Sequence, residues 1–344
     1  MPAAPGPSDI LAAMDVVVLI LALAVILVSA ELFTNGVEWF GRRYDLGEGA
    51  VGSILAAVGT ALPETLVPII AIVFTGGTAA TAVGVGAILG APFMLSTLAM
   101  VVTGAAVVVF AWRGRRSSDV TINETVMRRD LSHFLIAYSL AMAAGLIHVR
   151  PLHYALSVAL LVFYGFFVWE TMHGEGDLGE DIKPLYFHRH PVMPHRYRIF
   201  LQIGAAVLGI ILGAEIFVKE VQVLSESWGA APLIVSLLIT PIATELPEKF
   251  NSVLWMRQGK DTLALGNITG AMVFQSTFPV SIGLIFTTWE LPRSGLVSGV
   301  FALISGVVFY CTVRFRHKLT WWSLGGAGSM YALYIIYVVF FYKS

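Results

Sequence analysis

Two carboxylates in this sequence each follow a proline inside an otherwise apolar stretch. Glu64 ends the segment TALPE at 60–64, and Glu248 ends the segment TELPE at 244–248. A proline cannot donate a backbone hydrogen bond and disfavours helix in the residue before it, so each segment predicts a broken helix. Carbonyl oxygens freed at the breaks are expected at Ala57, Val58, Pro241 and Ile242. Together with carboxylate and hydroxyl oxygens, they predict an all-oxygen site for a hard cation.

The candidate ligands of this site are acids, hydroxyls and amides near the two breaks. They are Glu64, Glu248, Thr60, Thr244, Glu245, Gln275 and Asn267. Other interpretations stay open: the acids can be protonated or hold structural ion pairs, the threonines can cap helices, and the amides can bond between helices. A buried lysine needs a charge partner, so we expect Lys249 to pair with Glu245 or Glu248.

The composition around these segments is that of a membrane protein. Hydrophobic residues make up 57% of the 344 positions and charged residues only 12%, whereas a soluble domain carries about a quarter charged residues. Apolar runs long enough to cross a lipid bilayer recur along the chain. The net charge of −1 argues against a nucleic-acid partner, and the single cysteine excludes an internal disulfide.

We expect ten transmembrane helices. The predicted spans are 14–40, 50–75, 80–111, 131–149, 152–171, 198–222, 230–256, 262–288, 294–313 and 320–342. Most lysines and arginines fall in connections on one side of these spans. Because such residues concentrate on the inner side of a membrane, the pattern predicts a multi-pass protein of the cell membrane with both termini outside.

The proline–glutamate segments belong to a longer internal repeat. AELF at 30–33 recurs as AEIF at 214–217, at the offset that relates the two proline–glutamate segments, and GVGAILGA at 84–91 resembles ALGNITGA at 264–271. Each half then holds five spans. Because five is an odd number, the second half must be inserted upside down. The fold class expected is an all-α membrane protein built from two inverted five-helix repeats, with helices 2 and 7 broken.

This repeat divides the chain into three parts. We expect the first five-helix repeat in 1–171, a cytoplasmic connecting loop in 172–197, and the inverted repeat in 198–344. Glycines in the third and eighth spans predict close helix contacts. They are Gly86, Gly90, Gly266 and Gly270.

The repeated segments resemble the signature repeats of the calcium/cation antiporter superfamily, which contains the sodium/calcium exchangers. A GTSLPE-type break and a GNxxGSNxxN-type helix match 59–64 with 86–95, and again 243–248 with 266–275. The resemblance implies secondary active antiport of calcium, or a similar divalent cation, against sodium or protons. It implies alternating access to a midplane carboxylate site. We expect no cofactor beyond the transported ions and no obligate protein partner.

Several positions depart from the family pattern by losing an oxygen-bearing side chain. They are Ala61, Ala87, Ala91, Leu95 and Ala271, while Glu245 and Gln275 replace other family residues. Sodium needs several neutral oxygens, whereas a proton needs only a carboxylate. The departures therefore favour coupling to protons, or to fewer sodium ions than in the family.

Three questions stay open at the level of the sequence. A cation channel, or an exchanger-like protein for another cation, remains an alternative function. An enzyme is not expected, because no histidine lies near either glutamate motif and no His-Glu-x-x-His sequence occurs. The histidine-rich loop 186–195 has no assigned role. Glu31 and Glu215, which are related by the repeat, are expected to anchor helices or to line an access path.

Overall fold

The structure is a computed structural model that describes residues 7–44, 62–172, 184–188 and 193–342. Thr60 lies outside these residues, and so do the predicted carbonyls of Ala57 and Val58. For Glu248 the backbone is described and the side chain is not.

The described residues form helices joined by short connections, and no β-strand occurs among them. In chain order the helices are α1 (Pro7–Arg43), α2 (Leu62–Ile69), α3 (Gly77–Met94), α4 (Met100–Trp112), α5 (Glu124–Ala144), α6 (Arg150–Met172), α7 (Arg196–Trp228), α8 (Pro232–Thr244), α9 (Leu246–Arg257), α10 (Asp261–Phe286), α11 (Arg293–Arg316) and α12 (Trp321–Phe341). Two π-helical turns, Ile70–Thr75 after α2 and Leu95–Ala99 after α3, follow helices that contain a proline, Pro68 and Pro92. Prolines remove backbone donors, and a π-helical turn is one way in which a helix absorbs that loss.

Seven stretches of the described helices are long and apolar enough to cross a membrane. They are Met14–Arg43, Gly77–Trp112, Arg150–Thr171, Arg196–Trp228, Asp261–Phe286, Arg293–Arg316 and Trp321–Phe341. Shorter apolar helices cover Pro63–Thr75 and Pro232–Ile242. The all-helical membrane fold is therefore confirmed, whereas the count of ten spans and the inverted repeat stay predictions.

The fourth predicted span is displaced toward the amino terminus. We expected it at 131–149, but α5 begins at Glu124 and ends at Ala144. Asn123 caps its first turn by accepting a hydrogen bond from the amide of Val126 at 3.2 Å. Such a cap starts a helix wherever it stands, even among the charged residues that we had assigned to a connection.

The chain divides into two compact units. The first unit takes its described residues from Met1–Val83 and Gly165–Pro232, and the second takes them from Gly84–Tyr164 and Leu233–Ser344. Each unit thus contains residues from both predicted repeats. The division into 1–171, 172–197 and 198–344 stays a prediction.

In the first unit, α1 packs along α7. The short segment Leu185–His188 is docked on this pair, with Leu185 fully buried beside Trp39 and Ile199. The amide of Phe187 donates to the Gln202 side chain at 2.9 Å.

Gln202 in turn bonds Asn35 of α1 at 3.0 Å, and the Asn35 side chain accepts a further bond from the amide of Tyr186 at 3.3 Å. A part of the predicted connecting loop is therefore held by side-chain amides of two long helices.

In the second unit, α5 packs against α10 and α11, while α9 packs against α4 and α10. A buried ion pair between Arg116 and Asp261, at 2.6 Å, fixes the start of α10 to the connection after α4. Arg116 also donates to the carbonyl of Met256 at 2.7 Å. The last turn of α9 is thereby fixed as well, so the helix that carries Glu248 is anchored at its far end.

Candidate cation site

The second proline–glutamate segment interrupts a helix, as predicted. Helix α8 ends at Thr244, Glu245 lies in a turn, and α9 begins at Leu246 with Pro247 in its first turn. Proline is well tolerated at this point because the first helical residues lack an internal acceptor for their amides. Glu248 follows in the same turn, on α9.

The first segment is described only from Leu62 onward. Helix α2 begins there and contains Pro63, and Glu64 lies in its first turn. The Glu64 side chain is only 4% exposed. A break before Leu62 lies outside the described residues and stays a prediction.

One predicted free carbonyl is already engaged. The oxygen of Pro241 accepts the backbone amide of Glu245 and the ammonium of Lys249, each at 3.2 Å. That this carbonyl faces a transported ion stays a prediction. In the structure, the lysine ammonium holds that position.

Lys249 pairs with Glu245 rather than standing alone. Its Nζ lies 2.9 Å from Oε2 of Glu245, which is fully buried, and the lysine itself is only 8% exposed. The two residues are four apart, and the amide of Lys249 donates to the carbonyl of Glu245 at 3.0 Å. The helical turn thus persists across Pro247, which brings the two side chains onto one face.

Buried hydroxyls continue along α8 from this ion pair. Thr244 donates to the carbonyl of Thr240 at 3.1 Å, and the hydroxyls of Thr240 and Ser236 lie 2.9 Å apart. Bonding of a threonine hydroxyl to the preceding turn is the structural alternative to a ligand role. A hydroxyl oxygen that donates a hydrogen bond keeps its lone pairs. The bond to Thr240 therefore leaves the Thr244 oxygen able to coordinate a cation.

The two candidate amides on α10 have different surroundings. Gln275 is 1% exposed, and neither of its amide atoms has a hydrogen-bond partner among the described residues. A buried amide without a partner is costly, which favours a ligand role. Asn267 is half-buried, and its Nδ2 lies 3.5 Å from Oγ of Ser252 on α9. That contact agrees with the alternative in which Asn267 bonds between helices.

The repeated glycines also differ. A β-carbon on Gly86 would overlap the carbonyl oxygen of Leu233, and one on Gly90 would overlap that of Leu237. Backbone contact between α3 and α8 therefore requires glycine at both positions, as predicted. The corresponding prediction for Gly266 and Gly270 stays a prediction, because the residues that the repeat would place against them lie outside the described part of the chain.

The candidate ligands divide between the two units. Glu64 belongs to the first unit, whereas Thr244, Glu245, Asn267 and Gln275 belong to the second. The described residues contain no group of three or more histidine, cysteine, aspartate or glutamate side chains arranged to hold a metal ion. A shared site for these ligands stays a prediction.

Sequence reasoning missed several polar residues of the second unit. Asp130 of α5 is buried, accepts the hydroxyl of Thr269 on α10 at 2.7 Å, and pairs with Arg129 at 2.8 Å. Ser236 and Thr240 were also missed, although they precede Thr244 by eight and four residues, which is a usable helical spacing.

The histidine-rich loop is described only in part. His188 lies 2.5 Å from a guanidinium nitrogen of Arg198, and His190 is outside the described residues. Its role stays open.

Residues 14–172 and 198–343 match the sequence profile of the family described as "Sodium/calcium exchanger protein". The chain belongs to this family. The members are exchangers, so the expectation of a membrane transporter rather than an enzyme is confirmed. One relative is the "Putative antiporter CaxA" of Alkalimonas amylolytica, 24% identical over 77% of this chain and 79% of the relative.

Two solved exchanger structures share the fold. The crystal structure of the H+/Ca2+ exchanger CAX matches with a TM-score of 0.74 at 14% identity. The match covers 95% of this chain and 82% of the CAX chain. The sodium-calcium exchanger NCX_Mj matches with a TM-score of 0.57 at 18% identity, and the match covers 96% of this chain and 100% of the NCX_Mj chain. Family and fold together identify a cation antiporter of the membrane. Its cargo and counter-ion are a separate matter.

Proposed function

We propose that this protein is a secondary active antiporter that exports calcium, or a similar divalent cation, in exchange for sodium or protons. Glu64 and Glu248 are its central ligands, and access to them alternates between the two sides of the cell membrane. The observation that supports this best is the helix interrupted at Glu245, two residues before Pro247 and three before Glu248, in a member of an exchanger family.

Other ligands complete the oxygen set. Gln275 is the strongest of them because its buried amide has no partner among the described residues. Thr244 is buried next to the break. Thr60 is included only because the repeat relates it to Thr244. Asn267 is the least supported ligand, because its amide contacts Ser252.

The counter-ion is a monovalent cation. The two structurally similar exchangers carry calcium against different ions, protons for CAX and sodium for NCX_Mj, according to their descriptions. The losses of oxygen at Ala61, Ala91 and Leu95 favour protons, or fewer sodium ions. Both counter-ions therefore stay in the proposal.

The proposed architecture is ten spans in two inverted repeats, with both termini outside. Support comes from the repeated motifs and from the basic residues that concentrate on one side. Single cysteines on a Cys311→Ser background, treated with a membrane-impermeant thiol reagent, test this orientation. Ser118→Cys, in the connection between α4 and α5, should resist labelling from outside; labelling there would refute the topology.

Flux measurements in proteoliposomes test the function. We expect Glu64→Gln and Glu248→Gln each to abolish divalent uptake, because each removes a charged ligand and leaves the shape of the side chain nearly unchanged. Sodium, proton and potassium gradients applied in turn identify the counter-ion. Glu290→Gln is the matched control, since Glu290 is an exposed carboxylate between α10 and α11.

Near wild-type flux in both the Glu64 and the Glu248 variants would falsify the assignment of these ligands. A flux that does not saturate and needs no counter-ion would show a cation channel instead. Loss of flux in the Glu290 control would point to a general effect of the substitution on the fold.

A further inference from the structure

The Lys249 ammonium contacts both parts of the interrupted helix. It lies 3.2 Å from the carbonyl oxygen of Pro241 on α8 and 2.9 Å from Oε2 of Glu245 in the turn. Pro241 precedes the lysine by eight residues, so these contacts extend beyond a pair of side chains on one helical turn. A lysine ammonium has three donors and no acceptor, and it therefore binds where oxygens are gathered.

These contacts are buried. Glu245 is fully buried, and Lys249 is only 8% exposed. The other carboxylate oxygen of Glu245, Oε1, has no hydrogen-bond partner among the described residues. An uncompensated charge inside a membrane protein is expensive, so a buried carboxylate requires a positive charge beside it. The place beside Glu245 is therefore a position for one positive charge.

The partners of the ammonium are those of a small metal cation. Carboxylate and main-chain carbonyl oxygens are the ligands that hard cations take in proteins. An ammonium group carries the same charge as a sodium or potassium ion, and it binds the same kinds of oxygen. The lysine thus fills, with a group of the chain itself, a position whose charge and oxygens suit an alkali metal ion.

The proline–glutamate motif does not itself require this arrangement. At the offset of the repeat, the positions that correspond to Glu245 and Lys249 are Ala61 and Thr65, and neither carries a charge. Both charges are additions to the second copy. The position that they form is therefore distinct from the pair of glutamates that the repeat defines.

We propose that Glu245 and the Pro241 carbonyl form a site for a small monovalent cation, and that the Lys249 ammonium occupies this site and excludes sodium and potassium from it. The three residues all belong to the second unit, and no charge from another residue is needed. The inference goes beyond the proposed function, because the site is defined by binding and not by transport. One consequence does rest on the proposed function: Lys249 denies this position to the counter-ion.

Removal of the ammonium tests the site on the purified protein in detergent, without an ion gradient. Melting temperatures are measured at constant ionic strength while sodium or potassium chloride replaces N-methylglucamine chloride. We expect Lys249→Met to gain over the wild type a saturable increase of about 3 °C or more at about 300 mM metal ion, because a ligand that binds only the folded state stabilises it. Glu245→Gln/Lys249→Met lacks the carboxylate and should show no such gain.

A shorter side chain tests the same position with a free ammonium. Lys249→Ala lacks the part of the side chain beyond Cβ, which corresponds to propylammonium. We expect propylammonium chloride to raise the melting temperature of this variant in a saturable way, whereas tetramethylammonium chloride, which cannot donate a hydrogen bond, should not. Lys260→Met is the matched control, because Lys260 is an exposed lysine of the same unit, in the connection between α9 and α10.

Every outcome decides the inference. It is overturned if neither Lys249 variant gains a cation-dependent increase over the wild type, or if the double variant or Lys260→Met gains the same increase. A Lys249 variant that folds only when a small cation is present would support it. Failure of both variants to fold in every cation would overturn it, because a free cation would then be unable to replace the ammonium. Divalent flux does not enter these measurements, so a failure of the proposed antiport would leave their result unchanged.

Discussion

The two copies of the proline–glutamate segment are alike in sequence and different in charge. In the first copy, Glu64 stands in the first turn of α2 beside the uncharged Thr65. In the second copy, Glu245 lies before Glu248 and Lys249 lies after it, and these two flanking residues form a buried ion pair. A duplicated motif has thus kept its proline and central acid in both copies, while one copy alone has gained a neutral pair of charges.

The helices that follow the two segments, α3 and α10, also differ in their contacts and polarity. Gly86 and Gly90 on α3 are pressed against the backbone of α8, whereas Gly266 and Gly270 on α10 have open space among the described residues. The buried position near the end of this repeat is an apolar Leu95 in the first copy and the amide of Gln275 in the second. The second copy is therefore the more polar at these positions.

Breaking the ion pair should give the largest change in stability. We expect Lys249→Met to lower the free energy of unfolding by about 3–5 kcal/mol, because it strands the buried Glu245 carboxylate. Glu245→Gln/Lys249→Met should recover most of that loss, since a buried pair can often be replaced by neutral groups of similar volume. Thermal or denaturant unfolding in detergent measures both variants.

The pair of Glu124 and His317, which lies outside the predicted spans with side chains 37% and 60% exposed, gives the control for that measurement. His317→Gln should change the free energy of unfolding by no more than about 0.5 kcal/mol, because solvent-exposed pairs contribute little. If the buried and the exposed single variants lost equal free energy of unfolding, burial would not increase the contribution of the Glu245–Lys249 pair to stability.

Replacing glycine by alanine should have the next largest effect on stability, and the effect should differ between the two copies. We expect Gly90→Ala to cost about 1–3 kcal/mol, since its β-carbon would overlap the Leu237 carbonyl and lie 2.7 Å from Cγ of Pro241. Gly270→Ala should be neutral or stabilising by up to about 1 kcal/mol, because alanine is the better helix former and no described atom lies within 4 Å of the β-carbon position. Melting temperatures in one detergent compare them.

Equal destabilisation by the two alanines would contradict this contrast. It would place close packing around Gly270 as well as around Gly90, and the two copies would then be alike in packing.

A small stability change is expected at Gln275. Replacing this buried amide by leucine should leave stability unchanged or raise it by about 1 kcal/mol, because no described residue bonds the amide. The apparent KM for the divalent cation should nevertheless rise, by about tenfold if the lost ligand contributes about 1.4 kcal/mol. A variant that is less stable but has the wild-type KM would assign Gln275 a structural role.

Much of the fold follows from local features of the sequence. Long apolar runs predict membrane helices whatever their neighbours are, and Pro247 predicts the interruption at Glu245 because a missing donor acts within one turn. The pairing of Lys249 with Glu245 was one of two alternatives. The structure shows this pair, because the helical turn persists across the proline and places residues four apart on one face; the Glu248 side chain lies outside the described atoms.

Features that depend on distant residues could not be predicted in this way. Arg116 and Asp261 form a buried pair, yet they are 145 residues apart and no pattern in either segment indicates the other. Asp130 and Thr269 meet for the same kind of reason, through the packing of α5 on α10. The partner of a glycine is equally beyond local reasoning, because spacing shows that a helix can be approached closely, not which partner does so.

The short segment Leu185–His188 has a consequence for how α1 and α7 can separate. The Phe187 amide is bonded to Gln202, which is bonded to Asn35, so the segment and the two helices share one chain of hydrogen bonds in a buried place. Pulling the segment away would leave polar groups without partners where water does not reach. Detachment of the segment and separation of the two helices are therefore coupled, because both break the same chain of hydrogen bonds.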